Sequence, residues 1–317
     1  MTATQSVTPL DLDTYALLRE LESLATSEVN RHFSMAKTWY PHDYVPWSQG
    51  RDFDGLYEGQ AWSIEQSTIN EDARAALIVN LLTEDNLPSY HAEILRLFGP
   101  DGAWGTWVHR WTAEEGRHAT VIRDYLIVTR AVDPVALEDE RMNAMSTGFA
   151  SDYGDSAIHA LAYVSFQELA TRISHRNTGT ASGDAGLERL LSRVAADENL
   201  HMLFYRNVLA GALEVAPNET MRAITDVVTT FQMPGHMISG FTRASVKIAD
   251  AGIYDLRLHK DQVLLPVLRQ WKVWDLEGLN ADGERARDEL DAYLAKLETA
   301  ASRFEERREA RRARKAG

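Results

Sequence analysis

One ligand pattern, written twice, constrains this chain more than any other feature. Glu84 is followed 31 residues later by Glu115-Gly-Arg-His118, and Glu168 is followed 30 residues later by Glu198-Asn-Leu-His201. Residues at i and i+3 share one face of a helix, so each Glu-x-x-His presents a carboxylate and an imidazole to the same neighbour. Two such helices, joined by two more that each supply one glutamate, build a cage of four carboxylates and two histidines. That is the ligand set of a di-iron or di-manganese helical bundle.

A single Glu-x-x-His says little, because chance supplies about one in a chain with ten histidines and 24 glutamates. The competing reading places these carboxylates on ordinary solvated helix faces. The apolar company of the ligands separates the two. Glu84 shares a face with Ala73, Ala76, Leu77 and Asn80, and the stripe through Glu115 and His118 is otherwise Trp107, Trp111 and Ile122. Glu168 follows Ala157, Leu161 and Val164, and Glu198 and His201 lie between Leu187, Leu190, Val194, Tyr205 and Val208. A buried carboxylate costs several kcal/mol unless it is paired or bound to metal. Four on one core call for a cation.

The pattern is helical nearly throughout, and the expected fold class is all-α: a ferritin-like four-helix di-metal bundle with additional flanking helices. The spacing predicts an amphipathic helix over Leu10 to His32 and an extended crossing over Trp39 to Pro46. A ligand helix is expected from Ser67 or Thr68, with Thr68 and Glu71 as a capping box, bent where the ring of Pro88 meets the Glu84 carbonyl. The next ligand helices are expected from near Trp104, from Ser156 to His175, and from Leu187 onward, with Asn177 to Gly186 as a flexible turn. Further helices are expected near 218–232, 241–252, 255–272 and 282–312. The two ligand-bearing pairs read as an internal duplication, and the chain as one domain, 1–317, whose residues 302–317 form a basic tail.

Composition narrows the chemistry. Zero cysteines exclude disulfides, thiolate metal sites and thiol nucleophiles, so a metal here is held by oxygen and imidazole ligands, which suit iron or manganese. The net charge of −14 argues against nonspecific nucleic-acid binding. The exception is Arg303 to Gly317, with seven basic and three acidic residues, read either as a contact for an acidic partner or as a solvated helix end. The N-terminus carries no signal-like segment and the chain no apolar run of membrane length. A cytoplasmic protein, not an integral membrane one, is expected.

Three residues beside the ligands attract attention on chemical grounds. Glu114 and Asp197 each precede a ligand glutamate, and a ligating histidine usually donates its other ring N–H to a carboxylate. Asp197 and Glu114 are therefore candidates for that role, reached across the bundle, against the alternative of ordinary acidic helix positions. Thr171 lies three residues after Glu168. Its hydroxyl either serves the open metal positions or bonds back to its own helix.

At these residues the chain resembles the soluble acyl-[acyl-carrier-protein] desaturases, the family of plant stearoyl-ACP desaturase. The matching strings are Thr83-Glu84-Asp-Asn-Leu-Pro-Ser-Tyr90, Trp111-Thr-Ala-Glu-Glu115-Gly-Arg-His118, Ser165-Phe-Gln-Glu168-Leu-Ala-Thr171-Arg-Ile-Ser-His175 and Ala195-Ala-Asp-Glu198-Asn-Leu-His201. Met233-Pro-Gly-His236 and Trp271-Lys-Val are similar too, and the likeness runs from roughly Trp39 to the 280s. The resemblance implies two iron ions, with manganese as a possible substitute, held by Glu84, Glu115, His118, Glu168, Glu198 and His201. It also implies a homodimer, an acyl chain carried on acyl carrier protein, and a ferredoxin-type donor that with dioxygen introduces a cis double bond. Thr171 corresponds to a threonine beside the oxygen site, and Trp39, Asp197 and His118 to a proposed electron path, whereas composition alone makes Trp39 a core aromatic. The absent transit peptide and the arginine-rich tail point to a bacterial, actinobacterial version. Gly116 stands where the family has Asn, and Asn199-Leu200 where it has Lys-Arg. Two other readings use the same cage: an oxygenase or N-oxygenase with two iron or manganese ions, and a metal-binding protein without turnover.

Overall fold

The computed structural model describes residues 14–149, 153–238 and 240–316. Among these the fold is all-α, and β-structure is limited to one isolated bridge between Phe53 and Gln60. The principal helices are α1 (Thr14–Met35), α2 (Glu71–Asp85), α3 (Leu87–Phe98), α4 (Gly102–Val128), α5 (Pro134–Thr147), α6 (Ala157–Ser182), α7 (Ala185–Val215), α8 (Pro217–Thr230) and α9 (Phe241–Ala251). A short α10 (Leu256–Leu258) runs through a π turn, His259–Leu264, into α11 (Leu265–Gln270), and α12 (Ala281–Ala316) ends the fold. No helix among the described residues is long and apolar enough to cross a membrane.

The ligand-bearing helices α2, α4, α6 and α7 pack on one another, and α1 closes the bundle against α4 and α7. Their inward stripes make the core. Under the second Glu-x-x-His, Trp107 stacks on Phe204 with ring centroids 3.7 Å apart and planes at 11°, and both rings are fully buried. Such aromatic pairs add about 0.5–1.5 kcal/mol beyond the area they bury.

Four sequence expectations change at the helix ends. α2 is capped by Asn70, whose side chain accepts from the Ala73 amide at 2.9 Å, and not by a Thr68–Glu71 box. Pro88 does not bend a continuous helix. The helix stops at Asp85, Asn86 turns the chain, and Pro88 sits in the first turn of α3, where its missing N–H has no intrahelical partner to lose. The expected flexible turn is mostly helix, because α6 continues to Ser182. Gly183 then takes a left-handed conformation and Asp184 caps α7 through the Leu187 amide at 2.7 Å, so two residues reverse the chain. Gly179 is a site of close approach and not a breaker: a Cβ there would lie 3.1 Å from the Glu188 Cα.

The fourth change concerns the basic tail. α12 stays helical to Ala316 and is held against α9. Arg308 bonds Asp255 at 2.6 Å, Arg311 pairs with Asp250, and Arg312 donates to the Asp250 carbonyl at 2.7 Å. The helix predicted from Leu10 begins, within the described residues, at Thr14; residues 10–13 lie outside them, as does the N-terminal stretch read for a leader.

Candidate metal centre

The ligand helices bring all six sequence-predicted ligands to one buried point. Two groups of ligand atoms form, Glu84, Glu115, His118 and Glu198 in one and Glu115, Glu168, Glu198 and His201 in the other, with atoms in each group within 4.8 Å of one another. Glu115 and Glu198 belong to both. His118 Nδ1 lies 3.2 Å from Glu115 Oε2, 3.2 Å from Glu198 Oε1 and 3.8 Å from Glu84 Oε2. His201 Nδ1 lies 2.7 Å from Glu115 Oε1 and 3.5 Å from Glu168 Oε2. Each half of the cage thus offers one histidine and one private carboxylate, with two carboxylates shared.

The donor set fits a pair of divalent cations. Glu115 Oε1, Glu168 Oε2, Glu198 Oε1 and His201 Nδ1 are buried and make no hydrogen bond, although their lone pairs converge. Buried polar atoms are otherwise satisfied almost everywhere in folded proteins, and four carboxylates balance two doubly charged ions. The electrostatics point the same way. Burial, then the neighbouring charges of Glu198 and Glu115, push Glu84 well above the usual carboxylate range, and burial with Glu115 and Glu198 does the same to Glu168. Burial alone would also raise Glu115, but His118 and His201 beside it hold it below that range.

The outward faces of the ligands are fixed by hydrogen bonds. His201 Nε2 lies 2.9 Å from Glu114 Oε2, and His118 Nε2 3.5 Å from Asp197 Oδ2, each pair spanning α4 and α7. Such contacts leave Nδ1 of each ring free to bind metal. Asp197 Oδ2 also accepts from Trp39 Nε1 at 2.7 Å, with Arg117 and Arg193 against the same carboxylate and against the Trp39 ring. Thr171 Oγ1 makes the bond back to its own helix and one further contact. It bonds back to the Gln167 and Glu168 carbonyls at 3.1 and 3.0 Å and reaches Glu198 Oε2 at 3.1 Å.

Three partners escaped the sequence reading. His32 of α1, 1% exposed, lies 2.9 Å from the Glu114 oxygen that His201 also uses. Trp111 Nε1 donates to Glu168 Oε1 at 3.0 Å. His175 Nε2 lies 3.0 Å from Glu84 Oε1. The tautomer of His175 follows from its other neighbours. Ser174 donates to Asn80 Oδ1 at 3.0 Å, which turns the Asn80 amide toward His175 Nδ1 at 3.3 Å and leaves the proton on Nε2. Burial drives this histidine down to about 4, so it is a neutral donor near pH 7. His175 and Trp111 were visible as members of inward stripes, but no local spacing marks which distant carboxylate each serves.

Two cavities meet at the cage. One is lined by Leu87, Ile94, Leu97, Phe149, Ala160 and Val164 and reaches Glu84, Glu115 and Glu168. The other lies between α2, α6 and α9, lined by Asn80, Ser174, His175, Phe241, Thr242 and Ser245. Thr83, Glu84 and Thr171 line both. Along α6 the first cavity extends from Thr171 to Ala160, about 16 Å at the helical rise.

A carboxylate-rich cage between four helices, beside an apolar cavity, defines a ferritin-like di-metal protein. The chain belongs to the fatty acid desaturase family, whose pattern matches residues 13–316. It is 48% identical over 296 residues to DesA1 of Mycobacterium tuberculosis, which is named as an acyl-[acyl-carrier-protein] desaturase, covering 91% of this chain and 87% of that one. It is 30% identical to the chloroplastic stearoyl-[acyl-carrier-protein] 9-desaturase 5 of rice, Oryza sativa subsp. japonica, over 87% of this chain and 73% of that protein. The crystal structure of DesA2 from M. tuberculosis H37Rv superposes with a TM-score of 0.70 at 30% identity, covering 83% of this chain and 97% of that chain.

Proposed function

We propose that this chain is an acyl-[acyl-carrier-protein] desaturase in which two iron ions occupy the cage. One observation carries the reading: two ligand groups that share Glu115 and Glu198 stand at the head of an apolar cavity. Glu84 and His118 would hold one ion and Glu168 and His201 the other, and manganese would satisfy the same donors. When bound, the metal pair supplies the redox chemistry that activates dioxygen. The overall reaction takes two hydrogens from adjacent methylenes, one dioxygen, and two electrons with two protons from outside, and it returns a cis double bond and two waters.

The chain's own residues set the geometry. The cavity walls exclude water and align the acyl chain across Glu84, Glu168 and Thr171. The Thr171 hydroxyl, bonded to Glu198, lines both cavities beside the ligands. Trp39, Asp197 and His118 form the route by which electrons from a ferredoxin-type donor reach the site. Family membership supports acyl carrier protein as the bearer of the substrate. The same reading makes residues 1–317 one domain of a cytoplasmic homodimer.

The test is metal content and product together. Purified protein is expected to hold two irons per chain and, after anaerobic reduction and exposure to dioxygen with palmitoyl- or stearoyl-ACP, to release the unsaturated acyl-ACP. Two irons with a hydroxylated or N-oxidised product on another substrate would move the assignment to an oxygenase. No metal after reconstitution with iron or manganese would end it.

A further inference from the structure

Three of the chain's eight tryptophans, Trp104, Trp107 and Trp111, fall on one face of α4 at i, i+3 and i+7. Residues three and four apart on a helix have Cβ atoms about 5–6 Å from one another, so the indoles form a row about 10 Å long at the helical rise. The row starts at the cage. Trp111 donates to Glu168 Oε1 at 3.0 Å and lines the apolar cavity beside Glu84, Glu115 and Glu168. Trp107 stands edge-on to His201, with ring centroids 6.0 Å apart, and stacks on Phe204. Trp104 is the outermost. It packs edge-on to Phe204 at 6.5 Å and against Phe98 at 5.1 Å, close to the exposed start of α4 at Asp101 and Gly102.

Packing alone would explain three indoles on an inward stripe. Their N–H groups set them apart. Trp111 is bonded to a carboxylate, Trp107 Nε1 is buried without a hydrogen bond, and Trp104 donates to the Leu18 carbonyl at 3.0 Å. A buried N–H left without an acceptor costs about 1–3 kcal/mol, and such a group calls for a reason. The contacts grade the three rings for one-electron oxidation. A tryptophan that loses an electron becomes a cation, which an acceptor on its N–H stabilises and which nearby positive charge disfavours. Trp111, bonded to a ligand carboxylate, gives up an electron readily, but the cation left there would face two metal ions. Trp107 has no base to take its proton, because the neighbouring Tyr205 hydroxyl, 0% exposed with its ring, is too weak a base. Charge reaching Trp107 therefore moves on. Trp104, with a carbonyl on its N–H and the helix start beside it, is where the charge comes to rest.

We propose that Trp111, Trp107 and Trp104 are an electron relay that serves the cage when dioxygen is consumed with no acyl chain in the cavity, and that it spares the ligands from oxidation. This rests on the metal pair of the desaturase reading above. Trp111 borders the space the acyl chain would fill, so it is the oxidisable group at hand when that space is empty. Reduction of dioxygen to two waters takes four electrons and four protons. The external donor brings two electrons with two protons, and in desaturation the acyl chain gives two hydrogens. Without the chain, two electrons leave Trp111 one after the other, and each is replaced from Trp104 through Trp107. Two molecules of a solution thiol restore Trp104 and form one disulfide, releasing the two electrons and two protons that complete the balance.

The experiment mixes iron-loaded, anaerobically reduced protein with dioxygen in the absence of acyl-ACP and thiol. Freeze-quench electron paramagnetic resonance reads radicals, and peptide mass spectrometry reads oxidised residues. The proteins are wild type, Trp104→Phe, Trp107→Phe and Tyr205→Phe, each also prepared with ring-deuterated tryptophan. Wild type is expected to give a radical signal that narrows with the labelled tryptophan, and oxygenated product at Trp104. Trp107→Phe should shift that product to Trp111 and the ligand peptides and lose iron several-fold faster per dioxygen consumed. Trp104→Phe should shift it to Trp107, with iron content and turnover on acyl-ACP in the presence of thiol unchanged. Tyr205→Phe should match wild type. No tryptophan radical in wild type, a tyrosyl signal lost in Tyr205→Phe, or the same oxidised peptides in every protein overturns the relay and leaves the desaturase reading standing. The tryptophan radical in a protein that forms no unsaturated acyl-ACP upholds the relay and overturns the acyl substrate alone. Protein that holds no iron after reconstitution overturns both.

Discussion

Glu115 and Glu198 lie between the two histidines and not beside one of them. Glu115 turns Oε2 toward His118, at 3.2 Å, and Oε1 toward His201, at 2.7 Å, while Glu198 is the other residue common to both ligand groups. Removing a shared carboxylate therefore differs from removing a private one. Glu115→Ala is expected to lose both metals, whereas Glu84→Ala should keep about one per chain. Metal analysis of the two purified variants beside wild type checks this, and equal occupancies would refute the shared role.

Asp197 and Glu114 act on metal through histidine rings. Asp197→Asn and Glu114→Gln keep size but weaken the acceptor facing Nε2, and metal affinity or activity should fall about 10- to 100-fold. The two variants should separate in electron delivery. Asp197 also accepts from Trp39, so Asp197→Asn should slow reduction of the centre by donor more than Glu114→Gln does. Stopped-flow reduction rates at matched metal loading are the readout.

Thr171 reaches Glu198 through a hydroxyl that also bonds its own helix. Thr171→Val should leave metal content unchanged and lower the yield of unsaturated product per dioxygen consumed. Thr171→Ser should restore most of it. If both variants couple oxygen to product like wild type, the hydroxyl has only a local backbone role.

His259 gives the apoprotein an acid-sensitive stability away from the cage. Burial against Phe231 and Tyr254 lowers its pKa to about 4, below the ordinary 6.5. The folded state thus favours the neutral ring. Its contribution is complete above pH 6.5 and is lost as pH falls from 6.5 toward 4, by about 3 kcal/mol in all. Urea unfolding of the apoprotein across that window should show a shallower pH slope for His259→Phe than for wild type.

Gly116 is the clearest departure from the family pattern within a ligand string. Its position is helical, and an added Cβ would meet only Leu87 Cδ2, at 3.9 Å. Gly116→Ala should therefore stabilise α4 by up to about 1 kcal/mol, seen as a modest rise in Tm with metal content and activity unchanged. A fall in Tm would reveal a backbone role for Gly116.

Most of the centre was legible because its ligands obey a local rule. A helix converts i, i+3 spacing into a shared direction, so Glu115 with His118 and Glu198 with His201 announced themselves, and apolar neighbours marked Glu84 and Glu168 as buried. Helix ends were less legible. Asn70 in place of Thr68, Gly179 as a close contact and Asn86 as a full break all depend on what the backbone meets after packing. The same limit hid His32, Trp111 and His175, whose partners are 82, 57 and 91 residues away in the chain.

The sequence by itself determined the helical class, the identity of the ligand-bearing helices and the oxygen-and-imidazole chemistry, since periodicity and residue type are written along the chain. Only the tertiary structure decided which oxygens are shared, which tautomer His175 holds, that two cavities both border Thr171, and that the basic tail lies beside one of them. Each of these is a relation between side chains on different helices, and it comes into being when the helices pack.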